Sequence, residues 1–258
     1  MSTSTRRDAL SDSSEILADI VEEGRRVLAA ATRENVALRL LGGVAVRLRS
    51  AGLPPALQRE YKDLDFATTR KASGETQQLL RGLGYEPHTA FNTMNSKERL
   101  LFFDDAHGRQ VDVFVGSFRM CHEIPLERRL AAHDDTVPLA ELVLTKLQIV
   151  QLNEKDVRDA VALLVEHDIT DDDAGINGAR VAELCADDWG LWRTITRNLE
   201  SVGGHLASYD VDRDLVSTRL ASLQERIETA PKSRGWKLRD KIGERKRWYE
   251  LPEEVGGV

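Results

Sequence analysis

The spacing of apolar residues changes character along the chain, and each change predicts a different element. Between residues 12 and 32, Ile16, Ile20, Val21 and the pair Val27-Leu28 recur at helical intervals, which predicts an amphipathic helix with those residues on its inner face. From Val36 onward the rhythm shortens. Leu64 and Phe66 alternate with Asp63 and Asp65, and Val111, Val113 and Val115 alternate with Asp112 and Phe114, so both stretches read as strands. The run Leu100–Phe103, the turn-forming Asp104-Asp105-Ala106-His107-Gly108 and the strand after it predict a hairpin. A helix over about 72–83 would cover one face of the sheet, and 117–137 reads mostly as connection. From Leu139 to the end the pattern is helical: Leu139, Leu142, Val143, Leu147 and Val150 share one arc, and Val157, Ala160, Val161 and Leu164 form the next stripe. The acidic Asp168–Asp173 stretch, followed by Gly175 and Gly178, predicts a linker inside this half. Trp189 and Trp192 read as packing residues of the last helices. The pattern predicts an α/β (α+β) protein in two parts, 1–137 with the strands and 138–258 helical.

Polar residues that interrupt these patterns carry the candidate chemistry. Asp63 and Asp65 fall on one strand face, where like charges repel unless a cation sits between them. Mg²⁺ is the usual answer, and it carries substrate phosphates as well. A lone Asp-x-Asp is commonly a solvated strand edge, but two neighbours change its meaning. Upstream, Val36–Leu41 leads through Gly42-Gly43 into a helix start, a turn that lets phosphate approach the backbone. Downstream, Asp112 is an acid in an otherwise apolar strand, against its propensity, and beside Asp63 and Asp65 it would complete a triad for two metals. Lys146 falls inside the apolar arc of its helix, where lysine is seldom found without a partner. Asp156 and Asp159 flank the following stripe. With Asn153 as helix cap, Asp156 stands at the third helical position, so capping competes with a site role.

This order of parts resembles the nucleotidyltransferase superfamily over residues 36–116. With Lys146 and the Asp156-x-x-Asp159 helix added, it resembles the AbiEii-like nucleotidyltransferases, a group that includes abortive-infection toxins and the mycobacterial MenT toxins. The resemblance implies a nucleotidyltransferase-fold mixed sheet followed by a C-terminal helical bundle. It implies Gly42 and Gly43 as the phosphate-admitting turn, Asp63 and Asp65 as metal ligands, Asp112 as a third ligand or activator of the acceptor, Lys146 on the triphosphate, and Asp156 as its orienter or a base. The implied activity is Mg²⁺-dependent transfer of NMP from an NTP to an acceptor, with tRNA leading and a cognate antitoxin as protein partner. An antibiotic-type small molecule or a protein side chain is the alternative acceptor, and a degenerate nucleotide-binding module the non-enzymatic one. The sequence departs at Val44, which carries no hydroxyl where many relatives have Ser or Thr, and the Asp112 match belongs more to the antibiotic nucleotidyltransferases.

Composition narrows the setting. The 258 residues suffice for a sizeable core. No run reaches the length of a membrane span, and Met1–Asp8 has no apolar signal core, so a cytoplasmic protein is expected. Cys121 and Cys185 are too few and too far apart for a disulfide framework, and no Cys/His cluster has zinc spacing. Charge adds one feature. In a chain of net charge −7, residues 231–247 set eight bases against Asp240 and Glu244. Lys237, Arg245, Lys246 and Arg247 are candidate RNA contacts there, and Trp236, Trp248 and Tyr249 would either stack on bases or anchor the segment to the body.

Overall fold

The computed structural model describes residues 15–251. The N-terminal helix α1 (Ile20–Arg33) begins later than the periodicity predicts. Asp19 accepts hydrogen bonds from the Val21 and Glu22 amides, and such a cap sets the first turn; residues 12–14 of the predicted helix lie outside the described residues. Val27 and Leu28 are buried, with Ile16, Ile20 and Val21 partly buried against the same core. There follow β1 (Leu38–Leu41), α2 (Gly42–Arg49), β2 (Leu64–Thr68), α3 (Ser73–Gly82), β3 (Glu86–Pro87), α4 (Thr89–Asn95), β4 (Arg99–Asp104) and β5 (Arg109–Val115).

The five strands form one sheet in the order β1-β2-β5-β4-β3. It is mixed: β2 and β5 run parallel, and the other neighbours run antiparallel. The β4–β5 hairpin turns where the sequence predicts it. Leu64, Phe66, Val111 and Val113 are fully buried on the apolar side of the pleat. The β2–β5 register sets Asp65 directly opposite Asp112, so the polar side of both strands carries the acids.

The predicted connection 117–137 is more ordered than expected. It contains a small hairpin, β6 (Ser117–Arg119) and β7 (Glu123–Pro125). Its end lies along the outer edge of β1, where Leu40 N donates to Asp135 O (2.8 Å) and Val137 N donates to Leu40 O (2.9 Å).

The helical half comprises α5 (Leu139–Leu147), α6 (Glu154–Glu166), α7 (Gly178–Asp187), α8 (Trp189–His205), α9 (Arg213–Thr229) and α10 (Arg234–Asp240). The predicted linker at 168–173 is instead a pinned segment. Strands β8 (Ile169–Thr170) and β9 (Ile176–Asn177) pair there, and Asp168, Asp171 and Asp173 are bound by Arg219, Arg226 and Arg129. The acids that suggested a solvated loop are partners of arginines arriving from elsewhere in the chain. One hydrophobic core runs from α1 through the sheet to α9. The mixed sheet with helices, followed by helices, is the α+β class read from the sequence. Both cysteines are buried and free. Among the described residues, no helix is long and apolar enough to cross a membrane.

Candidate functional site

The site begins where β1 turns into α2. Gly42 has φ +69°, and a side-chain carbon there would lie 2.0 Å from Asp65 Oδ2. Glycine is therefore needed twice, for the left-handed backbone and for the room it leaves to a carboxylate. Asp65 is half-buried on β2, and Asp63, one residue ahead of the strand, is exposed. Across the parallel register Asp112 is 4 % exposed and already occupied. Its Oδ1 accepts from Arg99 Nε at 2.7 Å, and its Oδ2 accepts from Gln110 Nε2 at 2.7 Å.

The facing wall comes from α5 and α6. All nine residues of α5 are buried, which explains why an inward Lys146 needs partners. It has two: Nζ lies 2.8 Å from Asp159 Oδ2 and 3.6 Å from Asp156 Oδ1. The Asn153 side chain caps α6 by accepting from the Asp156 amide, so Asn153 fills the capping position while the Asp156 carboxylate faces Lys146. Asp159 also takes a forked pair of bonds from Arg59 Nε (2.8 Å) and Nη2 (2.7 Å), and that guanidinium stacks on Tyr61 at 4.4 Å.

The electrostatics follow from this placement. Burial, reinforced by the charge of Asp112, lifts the Asp65 carboxyl to about 7, with Lys146 pulling the other way. Burial and Asp112 raise Asp63 as well. Burial also raises Asp156, against the pull of Lys146. For Asp159 burial is outweighed by Lys146 and Arg59, and its pKa falls. For Lys146 burial acts downward, but Asp159 and Asp156 outweigh it and the ammonium is held charged. Among the described residues, Asp63 and Asp65 thus have no direct ion pair, while Asp112 has Arg99 and the acids on α6 share two cations.

Between the walls lies a cleft of about 470 Å³, lined among others by Gly43, Arg59, Asp63, Asp65, Lys146 and Asp156. Gly42, Asp112 and Asp159 stand behind this surface. Among the described residues, no group of three or more His, Cys, Asp or Glu is arranged to hold a metal. Asp63 and Asp65 offer two hard oxygen ligands, the number Mg²⁺ takes from protein when phosphates and water complete its shell. Burial first, and the charge of Asp112 second, raise both carboxyls, a cost that a bound cation would offset.

The basic segment lies apart from this lining. Its aromatics pack inward and on one another: Trp236 against Trp192 (5.0 Å), Trp248 against Trp189 (6.1 Å) and Tyr249 (5.3 Å). Trp248 Nε1 donates to Thr194 Oγ1 at 3.1 Å. These rings anchor the segment, while Lys237, Arg245, Lys246 and Arg247 remain exposed.

Sequence reading did not select Arg59. It lies in 58–62, a polar stretch with no periodicity, and only its arrival at Asp159, 100 residues on, reveals it.

No protein-family model matches the chain, and no curated protein matches it. Among solved structures, it is similar to the antibiotic-resistance factor ANT(2'')-Ia, at 14 % identity over 55 % of this chain and 80 % of that one, with a TM-score of 0.38. It is also similar to a STING-associated CdnE c-di-GMP synthase from Capnocytophaga granulosa, at 11 % identity over 81 % of this chain and 79 % of that one, with a TM-score of 0.26. Both likenesses are too distant to carry a residue, a substrate or an activity to this chain.

Proposed function

We propose that this protein transfers a nucleoside monophosphate from an NTP to an acceptor hydroxyl, with tRNA as the leading acceptor and the chain as the toxin of a toxin–antitoxin pair. The observation that carries the reading is the meeting of two carboxylates without a direct ion pair, Asp63 and Asp65, and an inward lysine in one open cleft. Asp63 and Asp65 would hold Mg²⁺, which when bound neutralises charge on the phosphoryl group being transferred. Lys146, held charged by Asp159 and Asp156, binds the triphosphate and offsets charge on departing pyrophosphate. Gly43 leaves room for the Arg59 guanidinium against the cleft floor. Asp156 faces the cleft with a raised pKa and only a long contact to Lys146, which suits it to take the acceptor's proton. Asp112 Oδ2 accepts from Gln110 and keeps a lone pair, with which it would take a second metal or the acceptor hydroxyl, while Arg99 holds Oδ1.

The tRNA assignment rests on the resemblance to the AbiEii-like group and on the exposed Lys237, Arg245, Lys246 and Arg247, which suit a polyanionic acceptor. The test is incubation with labelled NTPs, Mg²⁺ and total RNA, followed by separation of RNA, protein and small molecules. Label is expected in the tRNA fraction. Label in protein or in a small molecule would move the acceptor, and no Mg²⁺-dependent label anywhere would sink the transferase reading.

A further inference from the structure

Arg59 lies where a phosphate reaching Gly43 would have to arrive. A side-chain carbon on Gly43 would sit 2.2 Å from Arg59 Nη2, so the guanidinium rests against the backbone at the start of α2. Its fork onto Asp159 and a 3.0 Å bond from Nη1 to Glu60 O use three of five N–H donors. Nη2, the nitrogen nearest Gly43, keeps one free N–H, and Nη1 keeps the other.

Neutralising Asp159 does not require this residue. Lys146 already lies 2.8 Å from the same carboxylate. Lys146 is divided between Asp159 and Asp156, and Arg59 adds a fork to Asp159 while its guanidinium lies over the Tyr61 ring at 4.4 Å. Both cations line the cleft, and the acid that binds them lies behind it. A rear carboxylate holding two forward cations presents positive charge toward the cavity from two adjacent side chains, and one of them is a planar guanidinium suited to phosphate oxygens.

We propose that Arg59 is a second polyphosphate-binding residue beside Lys146, and that Asp159 is the positioning carboxylate that aims both. The proposal rests on the triphosphate reading of the cleft given above. Lys146 Nζ and Arg59 Nη2 both bond Asp159 Oδ2, at 2.8 and 2.7 Å, so they lie side by side and can grip neighbouring oxygens of a polyphosphate.

The test is calorimetric titration of the full chain with inorganic tripolyphosphate and with orthophosphate, each in Mg²⁺. Wild type is expected to prefer tripolyphosphate strongly. Arg59→Gln should weaken tripolyphosphate binding by about 10- to 100-fold, as expected for loss of a charge-assisted contact. Arg59→Lys should recover only part, because an ammonium cannot fork. Tripolyphosphate affinity within twofold of wild type in Arg59→Gln would overturn the proposal, even with stability reduced, since that is the signature of a purely structural ion pair. If Arg59→Gln does not fold, Arg59→Lys decides, and full wild-type affinity there overturns the forked contact. Failure of wild type to bind tripolyphosphate at all would remove the triphosphate reading itself, a result distinguishable from either of these.

Discussion

Helix α5 carries two buried charges, one near each end, and their surroundings differ in kind. Glu141 is fully buried and sealed. It accepts from Arg129 Nε at 2.7 Å and Arg180 Nε at 3.2 Å, and Arg129 continues to Asp173 at 2.5 Å. Hydrogen bonding to Asp173, then to Glu141, raises the Arg129 pKa despite burial, and Arg129 in turn lowers that of Asp173. Lys146 is just as surely paired, but its network opens onto a cleft, and across that cleft stand Asp63 and Asp65 with too little positive charge. A buried ion pair is by itself weak evidence of function. What separates the two ends of α5 is that one network is complete and the other leaves charge unbalanced beside open space.

The sharpest way to break this comparison is at the uncompensated acids. Asp65→Ala or Asp63→Ala should lower transfer at least about 10³-fold while leaving the thermal midpoint unchanged or higher, because a repelling charge is removed. Wild-type transfer in the double variant would show that the imbalance has no chemical use.

Lys146→Met should lower transfer by about 10²- to 10³-fold, measured as kcat/KM for NTP. Its effect on stability should be small, because Asp159 keeps its forked bond to Arg59. Glu141→Ala should do the reverse. Removing the fully buried acceptor shared by two half-buried arginines should cost about 1–3 kcal/mol in denaturant unfolding, with transfer per folded molecule intact. Equal effects of the two substitutions on both readouts would erase the distinction between the ends of the helix.

A subtler test uses pH. The Asp65 pKa is raised from 3.8 to about 7 on folding, so the folded state favours the protonated acid. The stability this contributes is present below the unfolded pKa and is lost as pH rises through about 7. In metal-free buffer, wild type should therefore lose stability relative to Asp65→Asn between about pH 4 and pH 7, by roughly 1–3 kcal/mol once solvent in the cleft is allowed for. A constant difference across that range would mean that Asp65 is not held against its charge.

The mildest effect concerns the exposed bases. Replacing Arg245, Lys246 and Arg247 with Gln should reduce the slope of log affinity for tRNA against log salt by up to about 2–3, with tripolyphosphate binding unchanged. Identical slopes would detach this segment from RNA.

The sequence made legible what local periodicity encodes. The alternation around Asp63, Asp65 and Asp112 located β2 and β5, and the arc of α5 placed Lys146 inward before any contact was known. It did not make legible what depends on distant partners. The acids at 168–173 have the composition of a solvated loop, and only Arg129, Arg219 and Arg226 turn them into a pinned segment. Glu141 stands in the same helix as Lys146 and is more deeply buried, yet as the third residue of α5 it reads as an ordinary first-turn acid. Arg59 is silent for the same reason: its meaning lies in Asp159. Asp112 was legible as an anomaly in its strand, but not the Arg99 and Gln110 that fill its oxygens.

The stretch laid along the outer side of β1 has a consequence for how other proteins can recognise this one. An unprotected strand edge invites a neighbour to add a strand, whether in aggregation or in peptide recognition by β-augmentation. Here the Leu40 amide and carbonyl are already taken by Asp135 and Val137. At the opposite border β3 has only two residues, and Pro87 has no amide to give. The sheet is thus closed to recruitment along both borders. A protein partner would have to engage helix faces, loops or the mouth of the cleft, and its specificity would be written in side chains rather than in backbone.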